Sequence, residues 1–108
     1  MFLKRKSNCV SMSMRQAAEE LAKDPAIRLI DVRTQEEFAE GHIPNSVNVP
    51  LGSFQQIARV VPNKDERLFV YCLSGSRSQM ACGQLAQMGY ADVTNIGGIS
   101  QWPGKIIR

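Results

Sequence analysis

The chain is poor in the residues that build metal sites. It carries one histidine and three cysteines in 108 residues, with no Cys-x-x-Cys pair, so no familiar zinc site can assemble and no metal is expected. An odd cysteine count also argues against a disulfide framework and for a reducing compartment. No apolar run approaches the ~20 residues of a membrane span. No long apolar segment follows Lys4-Arg5-Lys6, so no signal peptide is expected and a cytoplasmic location is. The formal charge of +3 is small and collects partly at the two ends, the pattern of solvated tails rather than of a nucleic-acid surface. Internal repeats and low-complexity tracts are absent. A membrane and nucleic acid are thereby set aside as partners, and a monomer is expected.

What is present is an ordinary globular composition, 44% hydrophobic and 21% charged, in a chain the length of one domain. Residues 1–9 read as a flexible basic arm and 10–108 as a single domain. Val10-Ser11-Met12 reads as a short edge strand. Ser13 and Gln16 have capping-box spacing and open a helix that runs to about Lys23, where Asp24-Pro25 breaks it. Ile27 to Val32 is a nearly continuous apolar run, expected of a strand covered on both faces. Thr34 and Glu37 repeat the capping spacing, opening a helix that Gly41 stops. Val47 to Val49 is another strand. Ser53 and Gln56 suggest a third capped helix carrying Phe54, Ile57 and Val60 or Val61. Leu68 to Cys72 is a buried strand, Gln79 to Met88 a helix ended by Gly89, and Val93 to Ile96 a last strand. This alternation predicts an α/β fold: a small doubly wound, mostly parallel sheet of four to five strands flanked by helices. Ligands of such sheets bind beyond the carboxyl ends of the strands, where both Asp31-Val32-Arg33 and Cys72 fall.

The strand that ends at Cys72 runs into Leu73-Ser74-Gly75-Ser76-Arg77-Ser78 and then a helix. Strand, tight loop and helix turn backbone N–H groups and a helix N-terminus onto one point. Here that point holds a thiol, whose pKa such donors lower from about 8.5. Gly75 sits mid-loop, where a positive φ would curl the chain around the sulfur. Arg77 stands at a helix start, against the helix dipole, and a local conflict of that kind points to anion binding or loop bracing. Ser74, Ser76 and Ser78 can donate to the sulfur. Cys82 lies inside the helix with Leu85 and Ala86 at the next-turn positions, which favours core packing over the alternative of a thiol that resolves Cys72, and Cys9 in the arm is incidental.

Cys72-Leu73-Ser74-Gly75-Ser76-Arg77-Ser78 resembles the active-site loop of the rhodanese family of sulfurtransferases. Leu29-Ile30-Asp31-Val32-Arg33, Glu40-Gly41-His42-Ile43-Pro44-Asn45-Ser46-Val47-Asn48-Val49-Pro50 and Asn95-Ile96-Gly97-Gly98-Ile99-Ser100-Gln101-Trp102 are similar to three further family segments, in order. The resemblance implies that Cys72 takes a sulfane sulfur from a donor such as thiosulfate or a persulfide and passes it, as a cysteine persulfide, to a thiol or cyanide. A protein acceptor is possible within that chemistry, and no cofactor is needed. Residues 73–78 would then bind substrate, with Asp31 and Arg33 behind the cradle: a carboxylate there can accept loop N–H bonds, and Arg33 lies at the site mouth or in a structural ion pair. His42 is structural in this resemblance, and Trp102 closes the site or caps the core. Two alternatives stand beside it. One is a cysteine-dependent phosphatase or arsenate reductase: dual-specificity phosphatases of the cell-division-cycle type share the architecture, with a loop one residue longer. A sulfur-delivery or binding module with little free turnover is the other.

Overall fold

Alternating strands and helices wind this chain into one parallel sheet with a helical layer on each face. The computed structural model describes residues 9–108. Strands β1 (Cys9–Ser11), β2 (Arg28–Asp31), β3 (Val47–Asn48), β4 (Arg67–Cys72) and β5 (Asp92–Gly98) pair in the order β1-β5-β4-β2-β3. Every pairing is parallel. The helices are α1 (Met14–Lys23), α2 (Gln35–Glu40), α3 (Ile57–Val60) and α4 (Ser76–Gln87).

The strand period of two sorts the core into two layers. Leu68, Val70 and Cys72 of β4 face one layer, together with Ile57 and Val61 around α3 and Ala81, Cys82 and Leu85 of α4. Phe69 and Tyr71 face the other, against Met14 and Ala17 of α1, Ile43 and Ile96. Strand β4 is central and buried from Leu68 onward, which is why it reads as a continuous apolar run.

Side-chain caps set the starts of α1 and α2. Ser13 caps α1 by accepting from the Gln16 N–H, and Thr34 and Glu37 form a reciprocal capping box on α2. At Ser53 the expected box does not form. A 3-10 segment, Leu51–Gln56, begins directly after Pro50, and Ser53 sits within it at φ −126°, outside helical geometry. Burying both Phe54 and Ile57, at about 1.5–3 kcal/mol each, outweighs the ~1 kcal/mol of a serine cap. The α4 helix starts three residues earlier than its composition suggests, so Arg77 and Ser78 belong to its first turn.

Cysteine usage requires a correction. Residues 1–8 lie outside the described residues, so the expected arm is seen only at Cys9, and Cys9 begins β1. Its sulfur is bonded to Cys82 across a sequence separation of 73. Cys82 is packed in the core, as expected, but as half of a disulfide, and Cys72 is the free cysteine among the described residues. An odd count therefore left room for one bridge, and cysteine usage gives no support to a reducing, cytoplasmic setting. The bridge ties the three-residue edge strand to the middle of α4. Closing so long a loop in the unfolded chain is costly, so reduction is expected to lower stability by roughly 2–4 kcal/mol. Urea unfolding with and without dithiothreitol measures this. Alkylation of the unreduced, unfolded chain should label one cysteine, and all three after reduction.

No helix of the described residues is long and apolar enough to cross a membrane.

Candidate active site

Cys72 ends β4, and the chain must turn at once into α4. The turn is made by Gly75, at φ 106°, a left-handed conformation that a side chain disfavours. In that conformation the Gly75 N–H donates to Cys72 Sγ at 2.9 Å. A second glycine makes the loop possible from below: a Cβ on Gly98 of β5 would overlap the Leu73 carbonyl oxygen. Leu73, Ser74 and Ser76 form an exposed rim, while Cys72 itself is fully buried. The thiol is thus at the floor of the loop, beneath that rim.

Burial pushes the Cys72 thiol up, but hydrogen bonding overcomes it. The Ser78 hydroxyl and the backbone N–H groups of Ser78, Gly75 and Ser74 favour the thiolate and bring the pKa below the ordinary value. The hydroxyl of Ser78, itself buried, lies 3.5 Å from the sulfur.

Arg77 does not point its charge at the sulfur unopposed. Its guanidinium grips Glu37 of α2 in a two-point pair, Nη1 to Oε1 at 2.8 Å and Nη2 to Oε2 at 3.0 Å. Glu37 also accepts from the Thr34 N–H at 2.9 Å. Arg77 first and Thr34 second hold the Glu37 carboxyl down at about 2. The pair braces the cysteine loop against the N-terminus of α2, which is the bracing role open to Arg77 in the sequence. Glu37 was visible there only as a capping residue.

Asp31 and Arg33 are both buried, at 0% and 5% exposure. Asp31 leaves β2 beside Tyr71, the residue before Cys72. It accepts no N–H from the cysteine loop. Its oxygens take the Arg33 backbone N–H at 2.9 Å, Nε at 3.1 Å and Nη2 at 2.8 Å. Burial opposes the Arg33 charge, yet the bonds and charge of Asp31 prevail and its pKa is raised. The expectation that Asp31 shapes the cradle by accepting loop amides is corrected: Arg33 occupies both its oxygens. Arg33 also donates to the Gly41 carbonyl at 2.6 Å, fixing the end of α2. Of the two roles open to Arg33, the structure shows the ion pair.

His42 stacks on Phe38 with ring centroids 3.7 Å apart, and its Nδ1 donates to the Phe38 carbonyl at 2.8 Å. That is a structural role. Trp102 packs on the α1 side of the sheet, within the layer of Phe69 and Tyr71, rather than over the loop.

Two residues near the site carried no role in the sequence reading. Arg15, in the first turn of α1, lines a cavity of about 500 Å³ beside Ser74 and Gly98. It has no ion pair among the described residues, and like Arg77 it sets a cation against a helix dipole. Asn95 is a polar residue within an apolar strand, which is the signal that it needs buried partners. No cluster of potential metal ligands occurs among the described residues.

The sequence matches the model of the Rhodanese-like domain over residues 13–105. It is 38% identical over 86 residues to a sulfurtransferase of Allochromatium vinosum, covering 79% of each chain. It is 33% identical over 100 residues to the adenylyltransferase and sulfurtransferase uba4 of Ogataea parapolymorpha, covering 92% of this chain and 26% of that protein. The chain therefore spans about a quarter of the length of that relative. Among solved structures, a rhodanese with anions from E. coli superimposes with a TM-score of 0.69 at 30% identity, over 77% of this chain and 99% of the other.

Proposed function

Since the chain belongs to the rhodanese-like domain family, we propose that it is a sulfurtransferase whose Cys72 carries the sulfur as a persulfide. The observation that carries this reading is the thiol of Cys72 at the floor of a loop whose N–H groups and Ser78 hydroxyl lower its pKa. The Cys72 thiolate attacks the outer, sulfane sulfur of a donor. With thiosulfate, a new S–S bond forms to Cys72, the donor's S–S bond breaks, and sulfite leaves with the electron pair. An acceptor thiolate, or cyanide in the test tube, then attacks the outer sulfur and releases the Cys72 thiolate. Both half-reactions use one site in turn, so double-displacement kinetics follow.

The donors that lower the thiol pKa also hold the anionic persulfide between the half-reactions. With Arg77 committed to Glu37, the charge of an anionic donor is met by the loop N–H groups and, on the rim, by Arg15. Apolar Leu73 leaves the loop with no further cation, which favours a small persulfide over the thiosulfate dianion as donor. Residues 73–78 line the path, and Asp31 and Arg33 act at one remove by holding the strand end and α2.

The experiment is the intact mass of protein incubated with donor and no acceptor. One added sulfur, located on Cys72 and lost on adding a thiol, is the expected result. An unmodified Cys72 with turnover still present would overturn the reading.

A further inference from the structure

Asn95 lies in β5 opposite Val70, next to a bulge where Ile96 has no partner in β4. Its side chain is buried at 8% exposure. The carboxamide oxygen accepts from the Gly97 N–H at 2.9 Å and from the Ser78 hydroxyl at 2.7 Å. The carboxamide nitrogen donates to Gln79 Oε1 at 3.0 Å and to the Gly75 carbonyl at 3.3 Å. A backbone N–H only donates and a carbonyl only accepts, so these partners fix which way the amide faces.

That orientation settles the direction of the bond to Ser78. The Asn95 oxygen has no proton to give, so the hydroxyl must give its own. A serine hydroxyl has one proton, and three acceptors surround it: Asn95 Oδ1 at 2.7 Å, the Gly75 carbonyl at 3.0 Å and Cys72 Sγ at 3.5 Å. By distance the proton rests on Asn95, while the sulfur is the poorest placed of the three.

We propose that Asn95 is a positioning residue that competes with the Cys72 sulfur for the single Ser78 hydroxyl proton, and so sets how tightly the cradle holds negative charge on that sulfur. With Cys72 protonated, Ser78 donates to Asn95 and is free to accept from the thiol. With Cys72 ionised, the hydroxyl rotates to the sulfur, and Asn95 Oδ1 keeps only the Gly97 N–H. No covalent bond changes in this step. The consequence for transfer rests on the persulfide reading. A thiolate gripped by every available donor is abundant but a weaker nucleophile. A hydroxyl held in reserve turns its hydrogen bond to Cys72 as the acceptor displaces it, so it stabilises the leaving thiolate more than the resting persulfide.

The test needs no sulfur donor, so its failure is distinguishable from failure of the transfer reading. The rate of Cys72 alkylation by iodoacetamide is followed against pH by mass spectrometry, with the Cys9–Cys82 bridge intact. Ser78→Ala should move the midpoint up by about half a unit to one unit, the worth of one hydrogen bond. Asn95→Ala, or the strand-compatible Asn95→Val, should move it down, because the Ser78 proton is released to the sulfur. The double variant should behave as Ser78→Ala alone. An unchanged or upward midpoint in the Asn95 variants would show that Asn95 only scaffolds the loop and would overturn the proposal. In the unsubstituted protein, the carboxamide 13C resonance of Asn95 should titrate with the same midpoint as Cys72. A resonance indifferent to that ionisation would overturn the proposal even if no variant folds.

Discussion

Cys72→Ser should abolish sulfur transfer, lowering turnover of thiosulfate with cyanide to the uncatalysed background, a loss of at least about 10³-fold. A serine hydroxyl at this position is not ionised near neutrality and forms no bond to sulfane sulfur that a thiol can later open. The substitution is close to isosteric, and the Gly75 N–H that donates to Sγ at 2.9 Å can donate to an oxygen instead. The fold should therefore survive, and urea unfolding should show a midpoint near that of the parent. Initial rates at several fixed acceptor concentrations should give parallel double-reciprocal lines for the parent protein and none for the variant. Turnover that survived the substitution would remove Cys72 from the chemistry. Cys72-dependent hydrolysis of an aryl phosphate would instead favour a phosphatase, against a loop with only four residues between Cys72 and Arg77.

Asp31→Ala should be the most destabilising single change outside the apolar core, costing about 3–5 kcal/mol. Asp31 is fully buried, and its removal leaves the Arg33 side chain, 6% exposed, with the Gly41 carbonyl as its remaining hydrogen-bond acceptor. A buried charge without its counter-ion pays desolvation with nothing to offset it. Replacing both partners removes that charge, so Asp31→Leu with Arg33→Met should be markedly milder than Asp31→Ala. Urea midpoints of the three proteins decide the point. If the double variant were the least stable, the pair would owe its effect to packing rather than to charge compensation.

Much of this architecture is readable because it is local. Strand β4 declares itself through unbroken burial, and Ser13 and Thr34 announce helices through bonds three residues long. Cys72 and Gly75 are legible for the same reason, since one tight turn places an N–H on a sulfur. Ser53 shows the limit of such rules: its spacing to Gln56 is right, but packing of Phe54 and Ile57 sets the chain's path there. The contacts that escape a reading of spacing join residues far apart in sequence. Arg77 meets Glu37 from 40 positions away, and Cys9 meets Cys82 from 73. Neither leaves a periodic trace. Asn95 escaped differently: its segment was recognised, but its side chain acquires meaning only once Ser78 is placed beside it.

The Cys9–Cys82 bridge has a mechanical consequence. Strand β1 sits at the sheet edge, held to β5 by three residue pairs, and bonds of that kind would fail one after another under a pull. A covalent link reroutes the load. Tension applied on the N-terminal side of Cys9 passes through the two sulfurs into the middle of α4, behind the turn that carries Arg77 and Ser78. To yield, the protein must tear that helix from β4 and β5 as a unit, a high-barrier event governed by the unfolding rate. A tether at this end would therefore pull directly on the helix that frames Cys72. Reduction of the bridge would let the edge strand give way first, at lower force, and act as a fuse that spares the cradle.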